Sequence, residues 1–294
     1  MKILITGSAG MLGSAMMPTL AGEGHEIIAT DINIVEDGME CLDVQNLSEV
    51  QAVADTHKPD MIMHLAAETD VDKCQIDVDH AYRANTLGTH NIALICQKLD
   101  IEMVYISTAG VFYGDKTEPY IEFDIPRPAN VYGDSKLQGE IIVQRLLNKY
   151  YICRAGWMIG GGGNKDKKFL NKVMQQIKKG AKEIKAVEDK FGSPTYTVDF
   201  SKCMAHLIKT GFYGLYHMGN IGSCSRYDIA KKAFEILDIN DVKLSPCTSE
   251  VFPLPAPRAR SESMTDYMLN LRGISIMRPW EEAVTDYIKS NFSK

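Results

Sequence analysis

No stretch of this 294-residue chain approaches the roughly 18 consecutive apolar residues that a membrane-crossing helix needs. The first apolar run is short and leads straight into glycines, so nothing at the start reads as a secretory signal. No basic face offsets the net charge of −6, which argues against nucleic acid as the main partner. The seven cysteines (Cys41, Cys74, Cys96, Cys153, Cys203, Cys224 and Cys247) are odd in number and form no C-x-x-C pair. They read as reduced packing residues of a cytoplasmic protein, not as a disulfide frame. The histidines lack metal-ligand spacing, and we expect no metal. There is no internal repeat. What remains is an ordinary globular composition, 45% hydrophobic and 24% charged, long enough for one large or two medium domains.

What is present starts at Lys2-Ile3-Leu4-Ile5-Thr6, a short apolar run that reads as a buried strand. It enters Gly7-Ser8-Ala9-Gly10-Met11-Leu12-Gly13, a variant G-x-x-G-x-x-G spacing that suits a tight turn into a helix. Glycine lets backbone approach a pyrophosphate, and the helix start offers free N–H groups. A second strand, His25 to Thr30, ends at Asp31, 18 residues past Gly13. An acid at that distance accepts hydrogen bonds from the adenosine ribose and repels a 2′-phosphate, so Asp31 favours NAD over NADP.

Further strands are expected at 61–65, 103–107, 151–153 and 214–218, with helices at 46–57, 77–99, 131–148, 166–180 and 195–209 and a last helix containing Trp280. In the 77–99 helix, Ala84, Leu87, Ile92 and Ile95 fit one buried face. Strand–helix alternation over 150 residues predicts an α/β fold, a doubly wound parallel sheet of Rossmann type. Ligands of such sheets sit beyond the strands' carboxyl ends. We expect a dinucleotide-binding domain from 1–155 and 194–219, and a smaller substrate-binding lobe from 156–193 and 220–294.

Tyr132 and Lys136 lie four residues apart, on one helical face. An ammonium beside a phenol lowers its pKa and fits it for proton transfer at a carbonyl oxygen. Tyr227 and Lys231 share this spacing but read as a solvated pair. Location separates the two, because Tyr132 opens the helix after the strand that ends in Ser107-Thr108. The Thr108 hydroxyl can then orient the same substrate oxygen, or merely cap the strand.

Together the glycine turn, Leu65-Ala66-Ala67, Asn85, Ser107-Thr108 and the run from Tyr132 through Ser135-Lys136 to Gly139-Glu140 resemble the extended short-chain dehydrogenase/reductases. Those enzymes act mostly on nucleotide sugars. Within them the chain is most similar to the dTDP-4-dehydrorhamnose reductase group, over essentially its whole length. The stretches that carry this are Glu68 to Lys73, Arg154 to Trp157, Asp189 to Thr195 and Gly273-Ile274 with Arg278 to Trp280.

The resemblance implies reduction of the C4 ketone of a nucleotide-linked deoxysugar with NAD(P)H, in surface polysaccharide precursor synthesis. It makes Thr108, Tyr132 and Lys136 the catalytic trio. It lines the cofactor with Gly7, Gly10, Met11, Leu12, Gly13, Asp31, Asp43, Val44, Ala66, Ala67, Asn85, Tyr132 and Lys136. It gives the substrate Thr69, Val71, Trp157 and Arg258, and implies a homodimer. A nucleotide-sugar epimerase with a tightly held NAD, or a non-catalytic subunit of the same fold, are the alternatives.

Two departures stand out. Ala109 and Gly110 occupy places where the family usually has an acid and a tyrosine, and Ser261 and Glu262 replace an Asn-Ser pair. Apolar residues beside the threonine cannot move the protons a sugar dehydratase must move, which disfavours that reaction. Gly160 to Gly163 with Lys165, Lys167 and Lys168 read either as a diphosphate cradle or as a loop before a solvated helix. Glu188-Asp189 could bind a divalent ion, but two adjacent loop acids read more simply as a solvated pair.

Overall fold

The computed structural model of the chain describes residues 1–166 and 169–293; Lys167 and Lys168 of the lysine cluster lie outside the described residues. The chain opens with β1 (Lys2–Thr6), α1 (Gly13–Gly22), β2 (Glu26–Asp31), β3 (Glu40–Cys41), α2 (Leu47–His57) and β4 (Met61–His64). A short α3 (Val71–Ile76) precedes α4 (Val78–Tyr82), which runs through a π-helical turn (Arg83–Leu87) into α5 (Gly88–Leu99). Then come β5 (Glu102–Thr108), α6 (Val131–Leu146) and β6 (Tyr150–Ala155). The later chain supplies β7 (Trp157–Ile159), α7 (Gly162–Lys165), α8 (Phe169–Lys178), β8 (Glu183–Val187), β9 (Phe191–Gly192), β10 (Pro194–Tyr196) and α9 (Thr197–Ile208). It ends with β11 (Gly214–His217), β12 (Cys224–Ser225), α10 (Arg226–Ile236), β13 (Lys243–Cys247), β14 (Ser261–Glu262), α11 (Tyr267–Leu271) and α12 (Trp280–Phe292).

Seven strands form one sheet in the order β11-β6-β5-β4-β1-β2-β3, and every neighbouring pair is parallel. Successive side chains of a strand point to opposite faces, and both faces here are apolar. Ile3, Ile5, Met61 and Met63 pack with Met16 and Leu20 of α1 and Phe200 and Met204 of α9. Leu4, Ile62, Met103 and Tyr105 pack with Val50 of α2, Ile92 and Ile95 of α5 and Val143 of α6. From β1 the chain winds outward to β2 and β3, then returns to β4 on the other side. The crevice for a ligand therefore opens between the ends of β1 and β4.

Smaller sheets, β10-β7, β12-β9-β14 and β13-β8, come from the later chain. β7 and β10 pair across the boundary expected at residue 194, so strand hydrogen bonds tie the two parts together there. Trp280 is buried in a cluster with Ile229, Val284 and Tyr287, anchoring the last helix. Five of the seven cysteines are buried and all are free; Cys41 is exposed and Cys247 half-buried.

The 77–99 reading needs correction. Asp77 ends α3 and starts α4, and the π turn adds a residue between α4 and α5. That insertion shifts the buried stripe to Ala81, Asn85, Gly88, Ile92 and Ile95, and leaves Leu87 exposed. A strict 3.6-residue period carried through the segment could not anticipate the slip.

Candidate active site

Gly7 follows β1 at φ +72°, a left-handed conformation, and a Cβ there would lie 2.6 Å from the Ala66 nitrogen. A Cβ on Gly13 would lie 2.3 Å from the Ser8 carbonyl oxygen, so α1 starts tight against the turn. Only glycine satisfies both approaches. Asp31 sits over this turn: its Oδ2 accepts from Ala9 N at 3.1 Å and its Oδ1 from Asn33 N at 2.9 Å. The neighbours Ile32, Ile34 and Val35 are exposed, an apolar rim that the sequence reading did not single out.

Asp43 follows β3 and its Oδ1 accepts from Gln45 N, while Val44 is buried against Gly88. Gly10, Met11 and Leu12 complete the turn, and Ala66 and Ala67 follow β4 across the crevice from it. A cradle in which added Cβ atoms would collide, with a carboxylate at its far side, fits a dinucleotide.

Asn85 also braces the protein around the expected cofactor site. It is fully buried in the π turn, donates to Glu68 O at 3.1 Å and Ser135 Oγ at 3.0 Å, and accepts from Glu68 N at 2.8 Å. Its amide is committed to protein partners, so it holds the loop after Ala67 against α6.

Thr108 ends β5, and Tyr132 opens α6 behind the Asn130 cap, whose Oδ1 accepts from Gly133 N at 2.9 Å. Gly133 packs so closely on the backbone of Gly110 that a Cβ would sit 2.1 Å from its carbonyl oxygen. That contact brings the Thr108 hydroxyl, which accepts from Gly110 N at 3.0 Å, beside the Tyr132 phenol. Burial pushes the phenol up to about 12, and the Thr108 hydroxyl opposes this. The expected lowering by Lys136 is absent: the lysine is itself buried, which brings its ammonium down to about 7, and it lies 4.2 Å from the centre of the Tyr105 ring.

Under the trio lie groups that sequence reasoning missed. His64 ends β4, is buried between Thr6 Oγ1 at 2.8 Å and Thr89 Oγ1 at 3.1 Å, and is held neutral at about 3 by burial and then by Lys136. A histidine closing an apolar strand was the available signal. Arg154 and Glu140 form a buried bidentate pair at 2.6 and 2.8 Å, and Ser107 donates to the same carboxylate.

Trp157 stands beyond the β6 end, which pairs with Thr108 through Ala155. Its indole N–H donates to Glu262 at 2.9 Å, and the Arg226 guanidinium stacks on its ring at 3.8 Å. Burial lowers Arg226 to about 10, with Glu262 opposing. Glu262 also raises the Tyr132 pKa, so this carboxylate is within electrostatic reach of the phenol. Thr69 is exposed before α3 and Val71 is half-buried at its start. Arg258 is already paired, with Asp72 at 2.9 Å and the Ala256 carbonyl at 2.8 Å. Both Asp189 oxygens accept from Ser249, while Lys231, partner of the comparison tyrosine Tyr227, is exposed.

A doubly wound parallel sheet carrying this threonine, tyrosine and lysine at its carboxyl edge defines an extended short-chain dehydrogenase/reductase. More narrowly, the chain belongs to the RmlD substrate binding domain family, which it matches over residues 1–292. It is 31% identical over 289 residues to a dTDP-4-dehydrorhamnose reductase of Mycolicibacterium smegmatis, covering 98% of this chain and 85% of that one. It is 30% identical to the spore coat polysaccharide biosynthesis protein SpsK of Bacillus subtilis, covering 99% and 98%. A crystal structure of dTDP-4-dehydrorhamnose reductase from Bacillus anthracis in complex with NADP superposes with a TM-score of 0.90 at 37% identity, covering 99% of each chain.

Proposed function

We propose that this protein reduces the C4 ketone of a dTDP-linked 4-keto-6-deoxysugar to an alcohol, as its relatives' names describe, using a nicotinamide cofactor. The observation that carries the reading is the Thr108 hydroxyl beside the Tyr132 phenol at the sheet's carboxyl edge, with Lys136 buried one helical turn on. When bound, the reduced nicotinamide supplies the hydride. Tyr132 holds the proton that the sugar's C4 oxygen takes up, and Thr108 orients that oxygen. Lys136, buried and brought down to about 7, holds the cofactor's ribose in this reading.

Gly7, Gly10, Met11, Leu12, Gly13, Asp31, Asp43, Val44, Ala66 and Ala67 line the cofactor in this reading, and Asn85 positions the loop beside it. Trp157, Thr69, Val71 and Arg258 approach the nucleotide sugar. The ribose-side Asp31 supports use of NADH. The SpsK relative supports a place in surface polysaccharide synthesis. Free buried thiols support a reducing, cytoplasmic setting.

The test is incubation with NADH or NADPH and a panel of dTDP-, UDP-, GDP- and CDP-4-keto-deoxysugars. Stoichiometric loss of reduced nicotinamide with a dTDP-keto-sugar is expected. Turnover of a nucleotide sugar without net loss of NADH would show an epimerase instead.

A further inference from the structure

The glycine run after β7 lies against the glycine turn, and Lys165 beyond it reaches the loop between β2 and β3. Gly160, Gly161 and Gly162 all have positive φ, at +152°, +70° and +66°. A Cβ on Gly160 would lie 2.0 Å from Thr197 Oγ1, and one on Gly161 would lie 3.3 Å from Met11 Cγ, so the run rests on the glycine turn itself. The far end is fixed at Asp166, which is buried. Its N–H donates to Gly162 O at 2.8 Å, its carbonyl accepts from Asn171 at 2.6 Å, and its carboxylate accepts from the Tyr287 hydroxyl. Between these anchors Lys165 reaches 3.9 Å from Glu36, which lies in the β2–β3 loop just beyond Asp31.

We propose that Lys165 is a ligand for the 2′-phosphate of NADPH, which lets this chain use NADPH despite the ribose-side carboxylate of Asp31. The inference rests on the nicotinamide reading above and adds to it. Asp31 alone would repel a 2′-phosphate; an ammonium held at Glu36, five residues beyond Asp31, offsets that repulsion. The pairing with Glu36 is long, and its carboxylate is 60% exposed, so it holds the lysine weakly and yields to a phosphate. Glu36 serves as the resting partner that keeps the ammonium at the ribose edge.

Calorimetric titration of the full chain with NADPH, NADH, 2′,5′-ADP and 5′-ADP tests this by binding alone. Lys165→Ala weakens NADPH and 2′,5′-ADP by about tenfold, the order of one hydrogen bond to a charged group, and leaves NADH and 5′-ADP within about twofold. Lys165→Arg retains NADPH affinity. Glu36→Gln, which removes the competing carboxylate, tightens NADPH by about two- to threefold, consistent with a weak exposed ion pair. Equal weakening of both dinucleotides would place Lys165 on the shared diphosphate and overturn the assignment. Unchanged NADPH affinity in Lys165→Ala would do the same. Failure of the unaltered protein to bind either dinucleotide would instead overturn the nicotinamide reading and this inference with it.

Discussion

Tyr132 keeps its proton at neutral pH because burial disfavours the phenolate, and the Thr108 hydroxyl only partly compensates. For reduction this is the useful state, since the acid must arrive protonated at the ketone oxygen. Tyr132→Phe is expected to lower turnover by ~10²–10⁴-fold, the usual worth of a positioned acid. The same variant should bind NADH as tightly as the parent in a fluorescence titration; an equal loss of cofactor binding would remove Tyr132 from the proton-donor role. Gly7 carries a different constraint. With φ at +72° and the Ala66 nitrogen 2.6 Å from any added Cβ, Gly7→Ala should cost about 1–3 kcal/mol in urea unfolding. It should also weaken both dinucleotides, because the turn and the β4 end must move apart. Both residues were legible in the sequence. Glu262 was visible only as a departure from a pattern, and its bond to Trp157 and reach to Tyr132 joined residues far apart in the chain.

Local pattern specifies an element well where one strong rule governs it. Helix α6 starts one residue before Tyr132, behind an Asn130 cap, and the strands β1, β4 and β5 fall where their short apolar runs place them. The α4–π–α5 segment does not, because its hydrogen-bond pattern answers to Asn85, which must reach both Glu68 and Ser135. One extra residue in the turn is the device that lets one buried amide satisfy partners on two other segments. Asn85→Ala would leave the Glu68 N–H without its partner and its carbonyl with only the Cys74 thiol. That should cost about 3 kcal/mol, in line with orphaned buried groups, and lower the melting temperature. A neutral result would mean that water replaces the amide. Hydrogen exchange should show loss of protection centred on the loop after Ala67.

At the scale of the whole molecule, two histidines are buried and neutral in different parts of the sheet's carboxyl edge. His64 and His217 are each lowered to about 3, by burial first and by Lys136 or Arg154 next, against an ordinary value of 6.5. Between those values the unfolded chain binds protons that the native chain does not, so stability falls as pH drops below 6.5. Each group contributes a slope of about 1.4 kcal/mol per pH unit there, roughly 3 kcal/mol together. Urea unfolding from pH 6 to 5 measures it, and His217→Gln should remove about half; a flat profile would mean that neither imidazole is held neutral. The sequence by itself determined the parallel sheet and the glycine turn, and it placed the candidates Asp31, Thr108, Tyr132 and Lys136, because each depends on residue type at short spacing. Only the tertiary structure decided that Asn85 braces Glu68 against Ser135, that Arg258 is paired to Asp72, and that Lys165 meets Glu36. Those are meetings between segments distant in the chain. Their partners are set by how sheet and glycine run fold back on one another, which no local spacing encodes.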